Sequence, residues 1–240
     1  MLSADPLTQV HARDLPSQDK VDRQFVRISA AWWERHLVEH GFAPLTLTVR
    51  DGHRGLDRSD LFAIARDATH DPLPLLWAAI AWGAGSHRRL CLQRIRSVAE
   101  DPARARRLLS EAASASTADP EGAYRALAPD SRPAIRYLGA AFFTKFLYFA
   151  GAGDQAHPCV ILDSNVAFGL RSLGETGWPT SGWSASRYGE LTTRLRQVAA
   201  HLDTAERPVR PDQVEYWLFQ IGKQGLRPAV AGAGVHPARV

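Results

Sequence analysis

A single lysine stands within an apolar, aromatic segment near the middle of the chain. Lys145 follows Phe142, Phe143 and Thr144 and precedes the run Phe146–Phe149. Lysine is rare in this protein, because only three of its 29 basic residues are lysines and the rest are arginines. An amine buried among apolar side chains is pushed toward its neutral, nucleophilic form, which a guanidinium does not reach. The segment therefore predicts a buried helix whose lysine either reacts or extends its charge to the surface.

An aspartate follows this segment after a second apolar run. Asp163 comes directly after Val160, Ile161 and Leu162. An aspartate in this position is typical of a helix N-cap. A buried amine with a carboxylate nearby is also the smallest set of groups that supports Schiff-base chemistry. The capping and catalytic interpretations both stay open on these two residues alone.

Length and composition limit the classes of protein that fit. A chain of 240 residues forms one large domain or two small ones, and its net charge of +4 suits a polyanionic partner. The longest apolar run, residues 73–85, is too short to span a bilayer, and the N-terminus lacks a signal-peptide pattern, so we expect a cytoplasmic protein. Cys91 and Cys159 lie in apolar surroundings and are predicted to be reduced core thiols.

Periodicity and capping signals predict a mainly α-helical chain with little or no β-structure. We expect residues 1–24 to form a flexible N-terminal arm, residues 25–224 a helical domain, and residues 225–240 a flexible tail. The predicted helices cover residues 28–41, 57–68, 73–96 with a break at 83–85, 102–115, 121–128, 131–139, 142–150, 163–170, 184–202 and 211–222, with one short strand over 43–49.

The break at Gly83–Gly85 introduces a basic stretch that includes Arg88 and Arg89. Backbone amides at such a break and the arginines after it suit contact with phosphate groups. A solvated basic helix face explains the same pattern equally well.

The order of these features resembles the helix-hairpin-helix DNA glycosylases, and within them a compact bacterial form of the 8-oxoguanine DNA glycosylase branch. Thr144–Lys145 matches the Thr-Lys pair that opens the second hairpin helix of that family, and Asp163 matches its aspartate after an apolar pair. Glu215 and Phe219 fall on the Gln and Phe that hold a flipped base in the family. The resemblance covers residues 25–224, with the hairpin and catalytic element at residues 131–170.

The resemblance implies a fold of two helical subdomains with a cleft between them, and a role for each matching residue. Lys145 would be the Schiff-base nucleophile, and Asp163 would support ionisation of the glycosidic bond. The flipped base would contact Phe219, Glu215, Phe149 and Phe143. Contacts to the nucleic acid would come from Trp82, Gly83, Gly85, Arg88, Arg89, Gly139, Thr144 and Asn165. Neither a metal nor another cofactor is implied.

The implied activity is a DNA N-glycosylase with β-lyase activity that excises an oxidised purine such as 8-oxoguanine from duplex DNA. We expect it to act as a monomer, associated with the nucleoid and not with a membrane. Two other functions stay open: action on a different modified guanine in RNA, in a nucleotide or as a deazaguanine, and non-catalytic binding of nucleic acid.

Three departures from the family pattern bear on these expectations. The hairpin glycines that would approach a phosphate are replaced by Ala141 and Phe143. The family's Asn-rich wedge is replaced by the segment Trp82–Gly85, in which Trp82 is the candidate stacking group. Glu215 stands in place of Gln, so the base would meet only hydrogen-bond acceptors when this carboxyl group is ionised.

Overall fold

The computed structural model describes Leu7, residues 10–68 and residues 70–225. These residues form eleven α-helices and one three-stranded sheet, which confirms the predicted mainly α-helical class. The helices are α1 (Gln18–Asp22), α2 (Ala30–Glu39), α3 (Arg58–Asp67), α4 (Leu73–Ala84), α5 (Cys91–Glu100), α6 (Pro102–Ser116), α7 (Pro120–Leu127), α8 (Ala140–Ala150), α9 (Ser164–Ser172), α10 (Ala185–Leu202) and α11 (Pro211–Gly225). The strands are β1 (Val26–Arg27), β2 (Thr48–Arg50) and β3 (His53–Leu56).

Most helices begin where a short polar side chain caps them. Asp57 caps α3 and forms a reciprocal capping box with Asp60, and Asp101 caps α6 directly before a proline. Ser184 caps α10 in the same way. Such caps satisfy backbone N–H groups that have no partner inside the helix, and each stabilises its helix by about 1 kcal/mol.

The sheet is small and antiparallel, with the strand order β1-β3-β2. The predicted strand over residues 43–49 forms only from Thr48 onward, and β1 and β3 were not predicted. β2 and β3 are joined by Asp51–Gly52, both at positive φ (49° and 73°), which is the geometry of a type I′ hairpin turn.

Two apolar helices cross in the core. The buried residues of α4 are Leu73 and the run from Leu75 to Trp82, and those of α8 extend from Phe143 to Phe149. A helix that is apolar on all sides is stable only when it is surrounded by other elements. Their crossing places the end of α4 against the lysine in α8, because a side-chain carbon at Gly83 would meet Lys145.

Helices α9 and α11 touch through their backbones. Gly169 in α9 faces the Leu218 carbonyl group, and Gly222 in α11 faces the Asn165 carbonyl group, with no room for a side chain at either glycine. These contacts hold the start of α9 beside the end of α11, and the middle of α9 beside the middle of α11. The two helices thereby form one wall of the cleft described below.

The helix predicted over residues 131–139 is wrong. Residues Pro129–Ser131 form one 3₁₀ turn, and the chain then runs without helix until α8 begins at Ala140. Pro133 forces Arg132 out of helical geometry (φ −111°, ψ 135°), and Tyr137 lies at positive φ. The hairpin therefore consists of α7, this connection and α8.

Within the predicted flexible arm over residues 1–24, the structure describes Leu7 and residues 10–24. Val10, Leu15 and Val21 are buried, because these apolar side chains pack against the rest of the domain. An ion pair between Asp22 and Arg210 ties the segment to the residues before α11. The predicted tail, apart from Gly225, lies outside the described residues.

Cys91 and Cys159 are buried and unpaired with each other, as predicted. Within the residues that the structure covers, no helix combines the length and apolar character needed to cross a membrane.

Candidate active site

The amine of Lys145 meets the carboxylate of Asp163. Lys145 Nζ donates to Asp163 Oδ2 over 2.9 Å and to the carbonyl oxygen of Ala141 over 2.8 Å. The other carboxylate oxygen, Oδ1, accepts from the backbone N–H groups of Asn165 and Val166 at 3.0 and 3.2 Å. Asp163 is thus the N-cap of α9 and the partner of the lysine at once, with one oxygen for each task. Lys145 is only 5% exposed, so its charge does not extend into solvent.

Thr144 holds the two chain segments that carry this pair. Its hydroxyl group accepts from the Leu162 N–H at 3.1 Å and lies 2.8 Å from the Ala140 carbonyl oxygen, to which it donates. Since Leu162 directly precedes Asp163, this contact fixes the position of the Asp163 carboxylate relative to α8. Thr144 is fully buried and makes no part of the cleft surface.

A cleft of about 1230 Å³ lies in front of the pair. Its walls come from the end of α4, from α8, from the start of α9 and from α11, and residues 20–27 form its rim. The cleft exceeds the usual volume of a small-molecule pocket, so a base with its attached sugar fits inside. All three lysines of the protein line it: Lys20, Lys145 and Lys223.

A buried ion pair forms another part of the cleft wall. Arg58 Nη1 donates to Glu215 Oε2 over 2.9 Å, and each residue is 1% exposed. Burial raises the pKa of Glu215 to about 7, although the charge of Arg58 opposes this shift. Burial by itself would lower the pKa of the Arg58 guanidinium, but the neighbouring Glu215 carboxylate raises this pKa above its usual value. Arg58 therefore stays charged, while Glu215 titrates near neutral pH.

Three aromatic rings surround the Arg58 guanidinium. Its central carbon lies 5.5 Å from the centre of the Trp82 ring, 5.1 Å from that of Tyr148 and 5.5 Å from that of Tyr216. Such rings attract a cation through their faces. Tyr148 is fixed in turn by donating to Asp212 Oδ2 over 2.7 Å. The guanidinium is consequently held in one orientation.

Eight of the residues predicted for the site surround the cleft. They are Lys145, Asp163, Glu215, Phe219, Asn165, Trp82, Gly83 and Gly85. Trp82 is not a protruding wedge, because it is buried and its Nε1 donates to the Gln24 carbonyl oxygen over 3.1 Å. It is part of the wall.

The other predicted contacts lie elsewhere. Phe143 packs edge-on against Tyr124 in the core, with ring centres 4.7 Å apart, and Phe149 packs behind Trp82 at 5.3 Å. Both are buried among apolar neighbours and, like Thr144, lie outside the cleft lining, so the contacts predicted for these three residues stay predictions. Helix α8 turns these side chains inward.

Gly139, Arg88 and Arg89 are also outside the cleft lining. Gly139 is the N-cap residue of α8 and has open space around it. Arg88 lies exposed over the ring of Trp32, 5.7 Å from its centre. Their predicted contacts with nucleic acid stay predictions.

Several cleft residues carried no recognisable signal in the sequence. Arg58 follows a helix cap and looked like an ordinary first-turn residue, and Gln24 lay in the presumed arm. Four cations on the rim were also not predicted, namely Lys20, Arg23, Arg27 and Lys223. Tertiary contacts, and not a local motif, bring these cleft residues together.

No three His, Cys, Asp or Glu side chains come together as a metal site in the portion of the chain that the structure covers. Neither a curated protein sequence nor a solved structure matches this chain. A sequence model of one protein family does match, over residues 19–219, and its description is "Putative 8-oxoguanine DNA glycosylase OGG-like protein".

Proposed function

Because the chain belongs to this OGG-like family, we propose that it is a DNA N-glycosylase with associated β-lyase activity. Its substrate is an oxidised purine of the 8-oxoguanine type in duplex DNA. The observation that carries the proposal is the 2.9 Å contact between Lys145 Nζ and Asp163 Oδ2 at the wall of a cleft large enough for a nucleoside.

Base flipping brings the damaged nucleotide into the cleft. A base inside a duplex is out of reach of an active-site side chain, so it must leave the stack first. The exposed cations of the rim, such as Lys20, Arg27 and Lys223, are suited to the phosphates on either side. Phe219 then stacks on the base and Glu215 bonds its edge.

The chemistry begins at the amine. The ammonium group of Lys145 first gives up a proton to solvent, and the electron pair of Nζ then forms a bond to C1′ of the sugar while the bond between C1′ and the base breaks. The electron pair of that bond leaves with the base, which takes up a proton. Asp163 faces the positive charge that develops on the sugar, and its Oδ2 is already placed to accept a hydrogen bond from the amine.

Strand cleavage follows from the same adduct. Opening of the sugar ring turns the aminal at C1′ into an imine. Loss of a proton from C2′ then expels the 3′ oxygen and breaks the strand.

The experiment is capture of the imine with borohydride on a duplex that carries 8-oxoguanine opposite cytosine. We expect a covalent protein–DNA adduct with the wild-type protein and none with Lys145→Gln. Lys223→Gln is the matched control, since it also removes a cleft lysine but leaves the proposed nucleophile in place, and it should still form the adduct. Peptide mapping should locate the modification at Lys145.

Other results would favour the alternatives. An adduct that forms only with RNA or with a deazaguanine-bearing strand would replace the proposed substrate. No adduct with any strand, together with equal DNA affinity for the wild type and Lys145→Arg, would indicate a non-catalytic binding protein and overturn the proposal.

A further inference from the structure

One guanidinium organises two polar groups of the cleft. Arg58 donates from Nη1 to Glu215 Oε2 at 2.9 Å and from Nε to Gln24 Oε1 at 3.0 Å. Gln24 and Glu215 lie far apart in the chain and both line the cleft. Arg58 therefore fixes how each of them is presented to a ligand.

The donor-only character of arginine decides the orientation of the Gln24 amide. A guanidinium has no acceptor, so the oxygen of the amide must face it. The amide NH₂ group of Gln24 is then left to donate elsewhere. On Glu215 the second oxygen, Oε1, is left to accept. Among the described residues, neither the Gln24 NH₂ group nor Glu215 Oε1 has a hydrogen-bond partner.

The Gln24 NH₂ donor and the Glu215 Oε1 acceptor are held in position in the absence of a ligand. The ring cage around Arg58 restrains the guanidinium, and the Trp82 indole N–H restrains the Gln24 backbone by donating to its carbonyl oxygen. Groups that are already ordered lose little entropy when they bind a ligand, so they discriminate well between ligands.

We propose that Gln24 is a further specificity-determining residue of the cleft, which reads position 6 of a flipped 6-oxo-2-aminopurine, and that Arg58 holds it beside Glu215 as a base-reading unit. The inference rests on the proposed function, which already assigns the base edge to Glu215. The Gln24 NH₂ group donates to O6 of the flipped base. Glu215 Oε1 accepts from N1–H or from the 2-amino group. Arg58 is a positioning residue that acts through the other two. An adenine-type base presents a donor at position 6 and an acceptor at N1, and it leaves both protein groups unpaired.

The test exchanges the donor at position 24 for an acceptor of the same shape. Gln24→Glu should favour a 6-amino base over a 6-oxo base. Gln220→Glu is the matched control, because Gln220 also lines the cleft and the change adds the same negative charge there, away from Arg58.

The readout is DNA affinity and not turnover. Each change is made in a Lys145→Gln protein, which cannot form the adduct, and Kd is measured by fluorescence anisotropy on duplexes carrying 8-oxoguanine or 8-oxoadenine opposite an abasic residue. We expect the parent to bind 8-oxoguanine more tightly, and Gln24→Glu to shift the ratio of the two Kd values by about 10-fold or more toward 8-oxoadenine. Gln220→Glu should weaken both complexes equally.

A second variant tests the role of Arg58. Arg58→Lys keeps a positive charge beside the buried carboxylate but cannot hold two groups in one plane. We expect the ratio of the two Kd values to fall toward one, with thermal unfolding used to confirm a folded protein.

Equal Kd values for the two bases in the parent would overturn the inference. So would the same ratio in Gln24→Glu and Gln220→Glu. The proposed function fails separately: a base-dependent ratio without any borohydride adduct would exclude the glycosylase chemistry alone, and an adduct without a ratio shift would exclude the base-reading unit alone.

Discussion

Gly83 is the residue that makes room for the lysine. A side-chain carbon at this position would lie 2.7 Å from Cδ and 3.0 Å from Cε of Lys145, which is too close for either atom. Because position 83 has no side chain, the stem of Lys145 lies against α4 while its amine reaches Asp163. A side chain at this position would displace the lysine stem.

Gly83→Ala should push the Lys145 stem away and reduce single-turnover excision by about 100-fold, the usual effect of a misplacement near 1 Å. The fold should survive, because alanine is favoured over glycine in a helix by about 1 kcal/mol. Gly177→Ala is the control, since Gly177 is exposed and has open space around it. Equal rates for these two variants would show that Gly83 does not position the lysine.

Glu215 should make base recognition depend on pH. Burial raises its pKa to about 7, Arg58 opposes the shift, and Asp163 and Asp212 reinforce it. Tyr148 also faces this cluster, but burial keeps the pKa of Tyr148 well above the usual value, so it stays protonated. Below pH 7 the carboxyl group is therefore mostly protonated, and above pH 7 it is an acceptor.

We expect the preference for 8-oxoguanine over 8-oxoadenine, measured as Kd in the Lys145→Gln protein, to rise as the pH increases from 6 to 8. The same measurement with Glu215→Gln should give a flat profile, since the amide does not titrate. A preference in the parent that stays constant with pH, including the case in which both Kd values change by the same factor, would contradict this role for the carboxylate.

At the level of elements, the site depends on how α8 is joined to the segment before α9. The Thr144 hydroxyl group accepts from the Leu162 N–H inside the core. Thr144→Val keeps the shape but leaves that N–H buried without a partner, which costs about 1–3 kcal/mol. We expect a lower Tm and a slower chemical step, because the Asp163 carboxylate is no longer held in a fixed position relative to Lys145.

Thr192→Val is the control for this variant. Thr192 is equally buried, but its hydroxyl group donates only to the Gly189 carbonyl oxygen within α10. Its loss should change Tm slightly and leave the rate of the chemical step unchanged. A similar rate loss in both variants would assign the effect to general destabilisation.

Elements with strong local signals were predictable, and those set by tertiary contacts were not. The caps at Asp57, Asp163 and Ser184 place three helix starts directly in the sequence. The sheet escaped prediction because its strands are two to four residues long, although the Asp51–Gly52 turn was a usable hairpin signal.

At the level of the whole molecule, the site residues also divide into those marked by a local sequence signal and those placed by tertiary contacts. Lys145 and Asp163 could be predicted, because a motif of neighbouring residues marks each of them. Arg58 could not, since its partners Gln24 and Glu215 are 34 and 157 residues away in the chain. The burial of Phe143 and Phe149 away from the cleft could not be predicted, because a helix sequence alone does not tell which aromatic side chain faces a cleft.

The distribution of charge follows from the packing of the N-terminal segment. Asp22 pairs with Arg210, Gln213 donates to the Pro16 carbonyl oxygen, and Val21 is buried. These contacts fix α1 and β1 at the mouth of the cleft, with Lys20 and Arg27 exposed on its rim. Two exposed cations thereby lie at the mouth of the cleft.

Lys20→Gln and Arg27→Gln should each weaken binding to damaged and undamaged duplexes alike, because a rim cation meets phosphates and not bases. In a plot of log K against log salt concentration, each should reduce the slope by about 1, the effect of one lost phosphate contact. Arg107→Gln, on the exposed face of α6 and outside the cleft lining, should leave the slope unchanged. Equal slopes for all three variants and the wild type would mean that DNA does not cross this rim, and the path of the duplex would then have to be sought at the Arg88 and Arg89 surface.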